Sequence, residues 1–201
     1  MSNNKFSAIV LAAGQSSRMG ELKALLLWQE VPLICYQIEQ LQKAGVDEII
    51  VVLGHKAPQI KEVIEPYTVK TVFNQQYKQG KSTSIRKGVA SVAVDPEGIF
   101  FLAIDQPVTC QTLKKLMEHF KRNKPAVVIP VHQGKRGHPI LFHDNLKNDL
   151  LVVNEETKGL RDIIQKHHNQ LAYLAVNDPA ILLNFNKPSD YSNYNLRGGI
   201  Q

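Results

Sequence analysis

The sequence predicts a single α/β domain, a Rossmann-like, mostly parallel sheet flanked by helices. Three observations predict it. Short apolar runs rich in β-branched residues alternate with stretches whose apolar residues recur at helical spacing. The connections between successive runs are long enough to hold a helix, as parallel neighbours require. The 201 residues, 43% apolar and 21% charged, suit one compact domain with a sizeable core.

Phe6 to Leu11 reads as a buried strand. Val31-Pro32 opens a helix carried by Leu33, Ile34, Ile38 and Leu41, with proline in its first turn and Gly45 just past its end. Ile49 to Leu53 is a continuous β-branched run, as in a strand covered on both faces. Pro58 to Glu65 fits a short helix and Val69 to Phe73 another strand. Ile85, Val89 and Val92 fall on one helical face. Ile99 to Ile104 is an apolar strand that stops at Asp105. Leu113, Leu116, Met117 and Phe120 mark the next helix, and Ala126 to Val131 the next strand. Ile140 to Phe142 fits a short strand, Leu160 with Ile163 and Ile164 a helix, and Leu171 to Val176 a last strand. Residues 1–194 are expected to form the domain and 195–201 a flexible tail.

Twenty-four basic against eighteen acidic side chains give a net charge of +6, which favours an anionic partner. The basic residues are dispersed and aromatics are only 7%, so a nucleic-acid partner is not expected. No apolar run approaches the roughly 20 residues that span a bilayer, and Met1 to Phe6 lacks a signal-peptide core. A cytoplasmic protein without a membrane partner is the expectation. Cys35 and Cys110 make neither a disulfide framework nor a metal pair, and read as small core residues.

In such sheets ligands bind beyond the carboxyl ends of the strands. The loop after the first strand runs Leu11-Ala12-Ala13-Gly14-Gln15-Ser16-Ser17-Arg18-Met19-Gly20-Glu21-Leu22-Lys23. Its small residues let the backbone approach an anion closely, and Arg18 and Lys23 add two cations. That combination suits a polyphosphate, although an ordinary strand-to-helix turn with solvated charges would look the same. Gly80-Lys81-Ser82 is no Walker A loop, because Gln75 stands where the earlier glycine belongs. The Asn74–Ser84 segment still places glycine and hydroxyls before a helix start, where N–H groups are unpaired. Asp105 at a strand end is either a ligand for a hard cation such as Mg²⁺ or the N-terminal cap of the next helix. The histidines lack zinc spacing, and Gly134 to Pro139 reads as a basic rim that meets an anionic substrate.

Together these loops resemble the molybdenum cofactor nucleotidyltransferase family, its cytidylyltransferase branch in particular. The match comprises L-A-A-G-Q-S-S-R-M-G-x-x-K at residues 11–23 and Asn74 to Gly88 as N-x5-G-x-S-x-S-[LI]-x-x-G. It continues through Asp105-Gln106-Pro107 as D-x-P, Gly134 to Pro139 as G-x-R-G-H-P, and Asn184 to Tyr191 as the late element. Two stretches depart from the family pattern. Glu156-Thr157-Lys158-Gly159-Leu160-Arg161 replaces G-D-x-G-A-R, and Asn184 and Asn186 stand where aspartates are usual.

The resemblance implies a nucleotide-diphospho-sugar transferase-like fold and a CTP:molybdopterin cytidylyltransferase that forms a dinucleotide cofactor and pyrophosphate. It implies CTP and molybdopterin, or molybdenum cofactor, as partners, with Mg²⁺ as the cofactor and Mn²⁺ as its substitute. Delivery to a molybdenum hydroxylase apo-enzyme is compatible with it. Arg18 would hold the β- and γ-phosphates, Lys23 would balance charge at the α-phosphate, and Asp105 with Asn186 would hold the metal. Leu11, Ala12, Ala13, Gly14 and Ser16 would meet the nucleotide. Asn74, Gly80, Ser82 and Ser84 would line the base and ribose side. Arg136, Gly137 and His138 would face the pterin. A sugar- or polyol-phosphate nucleotidyltransferase shares the Gly-rich start, and a non-catalytic cofactor carrier would tolerate the altered 156–158 stretch.

Overall fold

The computed structural model describes residues 5–17, 19–93 and 95–195. The tail expected at 195–201 falls, from 196 on, outside the described residues. Strand β1 spans Phe6–Ala12, and a small hairpin follows from β2 (Leu27–Trp28) and β3 (Val31–Pro32). Helix α1 (Leu33–Ala44) starts one residue later than the sequence implies, with Pro32 in the flanking position, and ends at left-handed Gly45. Strand β4 (Glu48–Leu53), helix α2 (Ala57–Ile64), strand β5 (Lys70–Phe73) and helix α3 (Lys81–Val89) complete the first half. Strand β6 (Gly98–Ala103) leads through the Asp105 loop to helix α4 (Cys110–Asn123). Then come β7 (Val127–His132), β8 (Lys135–Arg136), β9 (Ile140–His143), α5 (Lys147–Leu151), α6 (Leu160–Lys166), β10 (Leu171–Ala175) and α7 (Pro188–Asn195).

The sheet runs β10-β7-β9-β6-β1-β4-β5, with β8 paired to β7. All neighbours on the main path are parallel except β9, which is antiparallel to β6 and β7. The period of two along each strand divides the apolar residues between the faces. Phe6, Ala8, Val10, Ile49, Val51 and Leu53 pack with α1, α2 and α4 residues such as Ile38, Ile60 and Phe120. Ile9, Leu11, Ile50 and Val52 pack on the other face with Ile85 and Val89 of α3 and Ile163 of α6. The continuous apolar runs arise because both faces are covered. Cys35 is buried as expected, whereas Cys110 is only half-buried.

This layering places the ends of β1 and β6 side by side, so the 13–23 loop and the Asp105 loop share one rim. The inverted strand brings the Gly134–Pro139 loop to that rim too, since its register pairs Ile140 with Phe101 near the end of β6. Among the described residues no helix is long and apolar enough to cross a membrane.

Candidate active site

Two adjoining cavities open along the rim. The first, of about 390 Å³, is lined by Leu11, Ala13, Gly14, Ser16, Lys23, Gly80, Ser84, Asp105 and Asn186, with Tyr77 and Lys81. Local bonds set the first loop. Ser16 sits at a left-handed φ of 53°. Its carbonyl accepts from the Met19 N–H at 2.8 Å, and its hydroxyl accepts from the Lys23 N–H at 3.3 Å. The turn thus aims the Lys23 side chain inward. Its ammonium lies 2.7 Å from Asp105 Oδ2 and donates to Asn186 Oδ1 at 3.2 Å. Only 12% of the Lys23 side chain and 19% of that of Asp105 are exposed.

Asp105 is held from two sides. Buried Gln37 donates through Nε2 to the carbonyls of Ala103, Ile104 and Gln106, at 3.1, 3.3 and 2.9 Å. The Phe185 N–H donates to the Asp105 carbonyl at 3.0 Å. The Phe185 ring is buried beside Trp28 and Tyr191, with Tyr36 in the same cluster, so aromatic packing sets the position of the adjacent Asn186. Thr109, whose side chain accepts from the Thr112 N–H, caps α4, which frees Asp105 from that role. Both alternatives raised for Asp105 are thereby separated: the carboxylate faces the cavity.

The second cavity, of about 630 Å³, is lined by Ser82, Arg136, Gly137 and His138 with Glu155, Lys158 and Arg161. Hydrogen bonds from the Gly137 N–H to the Pro130 carbonyl and from the His138 N–H to the Ile181 carbonyl, each 2.9 Å, hold this loop. The Arg136 guanidinium sits 4.7 Å from the centre of the Tyr173 ring. Burial, and then the Lys81 charge, push the His138 imidazole down to about 4, with Asp105 opposing them. A group whose pKa is lower folded than unfolded leaves stability intact above the unfolded value near 6.5, and removes it as pH falls toward the folded value. Between pH 7 and pH 4.5 the thermal midpoint should therefore drop less in His138→Gln than in the unaltered protein. Equal drops in calorimetry would contradict this.

The cavities do not take in every residue expected from the sequence. Ala12 packs its side chain into the core beside α1 and lines neither cavity. Asn74 is buried behind the site and donates to the hydroxyls of Thr83 and Ser84 at 2.9 and 3.0 Å. It braces the start of α3 and lines neither cavity. Ser82 belongs to the second cavity, apart from Gly80 and Ser84. Arg18 lies outside the described residues.

Gln37, Lys81, Glu155 and Phe185 are the additions. Gln37 interrupts the apolar i, i+4 stripe of α1 between Leu33 and Leu41, a signal the sequence carries. Glu155 accepts from the Ser82 N–H at 2.6 Å, a contact across 73 residues that no local pattern reveals. It also explains Gly80, whose φ is +116° and where an added Cβ would lie 2.5 Å from the Glu155 side chain. Gly80→Ala is expected to cost about 1–3 kcal/mol in urea denaturation. An unchanged midpoint would show that the turn relaxes freely.

Among the described residues no group of three or more His, Cys, Asp or Glu side chains forms a metal cage. The donor set nevertheless fits a hard cation completed by phosphate oxygens. A carboxylate and an amide oxygen, from Asp105 and Asn186, already converge on one positive charge, that of Lys23.

Residues 8–171 match the family model for the MobA-like NTP transferase domain. The molybdenum cofactor cytidylyltransferase of Escherichia coli K12 is 28% identical over 186 residues, 91% of this chain and 92% of that protein. Among solved structures, Rv0371c from Mycobacterium tuberculosis superposes with a TM-score of 0.83 at 24% identity, covering 94% of this chain and 97% of that one. A nucleotidyl transferase from Methanothermobacter, Mth528, superposes with a TM-score of 0.81 at 28% identity, covering 98% of this chain and all of that one. The match over residues 8–171, more than half of the chain, shows that the chain belongs to the MobA-like NTP transferase family.

Proposed function

We propose that this nucleotidyltransferase moves a cytidylyl group from CTP to molybdopterin, or to the molybdenum cofactor, and releases pyrophosphate. The pairing of the two cavities carries this reading. One holds a small-residue loop with a buried lysine–carboxylate–amide cluster, suited to a triphosphate. Its neighbour holds the Arg136-Gly137-His138 loop with further cations, suited to an anionic acceptor. The similarity to the Escherichia coli cytidylyltransferase along nearly the whole chain supports the choice of CTP and pterin.

In the reaction an acceptor phosphate oxygen bonds to the α-phosphorus as the bond from that phosphorus to the bridging oxygen breaks. Pyrophosphate leaves with the electron pair. A phosphate monoester is mostly dianionic at neutral pH, so no side chain has to remove a proton. Catalysis is then positioning and charge neutralisation. The N–H groups around Gly14 and the Arg18 guanidinium hold the donor phosphates, and Lys23 meets charge that grows on the α-phosphate and leaving group. Arg136 and neutral His138 orient the acceptor. Asp105 and Asn186 would hold Mg²⁺, or Mn²⁺ in its place, and the ion would neutralise charge on the leaving phosphates. The product would be suited to delivery to a molybdenum hydroxylase apo-enzyme.

The test is a panel of CTP, GTP, ATP and UTP with molybdopterin and with sugar 1-phosphates, read by pyrophosphate release. CTP with molybdopterin should exceed every other pair. Preference for a sugar phosphate would assign the chain to that branch, and tight pterin binding without pyrophosphate would make it a carrier.

A further inference from the structure

Lys81 is the one described residue that lines both cavities. It is the first residue of α3, open to solvent within the cleft. Among the described residues its ammonium has neither a hydrogen-bond acceptor nor an ion-pair partner. Lys23, by contrast, is already engaged by Asp105 and Asn186.

The position is unfavourable for a cation. A helix N-terminus carries partial positive charge, which disfavours a lysine there. Partial desolvation in the cleft lowers the Lys81 pKa, Asp105 and Glu155 oppose this, and the charges of Lys23 and Arg161 add to it. Glu155 is itself occupied by the Ser82 N–H. Asp105 and Glu155 favour this charge without bonding to it, whereas an anion in either cavity would meet it directly.

We infer that Lys81 is the cation shared by donor and acceptor, its ammonium meeting the α-phosphate of the nucleotide on one side and the acceptor's phosphate on the other. The inference rests on the nucleotidyl-transfer reading above and adds to it a residue that spans the two substrates. Bringing two anions together for in-line attack is repulsive. A positive charge fixed between them offsets that repulsion most strongly as they close, which lowers the barrier rather than only the binding energy. Lys81 keeps its proton throughout. The only bonds that change are those at the α-phosphorus. Two bound anions would also raise its pKa again.

The experiment compares the unaltered protein with Lys81→Gln and Lys81→Arg. Turnover is read by pyrophosphate release with the best pair from the panel. Binding is read by calorimetry with CTP and with inorganic phosphate as separate probes. Lys81→Gln should lower kcat by about 10² and weaken both probes by roughly tenfold, about 1.4 kcal/mol. Its thermal midpoint should stay level or rise, because an unfavourable helix-end charge is gone. Lys81→Arg should recover most of the binding. Unchanged binding of both probes, loss of one alone, or a lowered midpoint accompanying the loss would each overturn the shared role. If the unaltered protein turns over no pair, the functional reading fails, and the two binding probes still decide the role of Lys81.

Discussion

Asp105→Ala should reduce pyrophosphate release by about 10³ and abolish its dependence on Mg²⁺. The carboxylate is the sole acidic group in contact with the Lys23 ammonium among the described residues, and its backbone is pinned by Gln37 and Phe185. Removing it deletes the charged member of the proposed ion holder and leaves the lysine with only the Asn186 amide oxygen. The lysine can still reach cleft water, so the folding cost should be about 1 kcal/mol, well short of the cost of orphaning a fully buried charge. The check is a Mg²⁺ titration of turnover beside a urea melt. Retained metal dependence would show that another carboxylate holds the ion.

Lys23→Ala should lower kcat by about 10²–10³ with a smaller effect on the KM for nucleotide, because its charge matters most as the leaving group forms. Lys23→Arg should restore only part of the rate, since a planar fork does not replace a compact ammonium between two oxygens. The two residues touch, so their losses should not add. The Lys23→Ala/Asp105→Ala double variant should fall little below Asp105→Ala alone. Additive losses in that cycle would mean that the ion pair is incidental and that each side chain acts by itself.

Much of this architecture is legible without coordinates. Ile49 to Leu53 and Ile99 to Ile104 are so uniformly apolar that only a strand covered on both faces accommodates them, and the structure buries them between the two cores. The first loop shows its small residues and cations directly. What local pattern conceals is direction and long-range contact. Ile140 to Phe142 reads as a short strand, but nothing in three residues tells whether it runs with or against its neighbours, and the strand observed is only one residue longer. The hairpin of Leu27–Trp28 with Val31–Pro32 is too short to leave a period. Asn74 has the residue type of a ligand contact, yet its amide is used up by two hydroxyls of α3, a pairing set by the fold. Lys81 falls between these cases. A cation at a helix start is visible in the sequence as a local conflict, but only the meeting of two cavities gives that conflict a purpose.

The reversed strand has an implication for how the family can diversify. Had β9 run parallel to its neighbours, residues 134–139 would enter it from the far side of the sheet. Because it is inverted, the segment that feeds it reaches the same rim as the segment that leaves β1, so the two proposed substrate grips come from separate parts of the chain. If the 134–139 segment meets the acceptor as proposed, mutations that lengthen or recolour it should retune acceptor choice while the proposed nucleotide grip stays intact, so specificity would drift one half at a time.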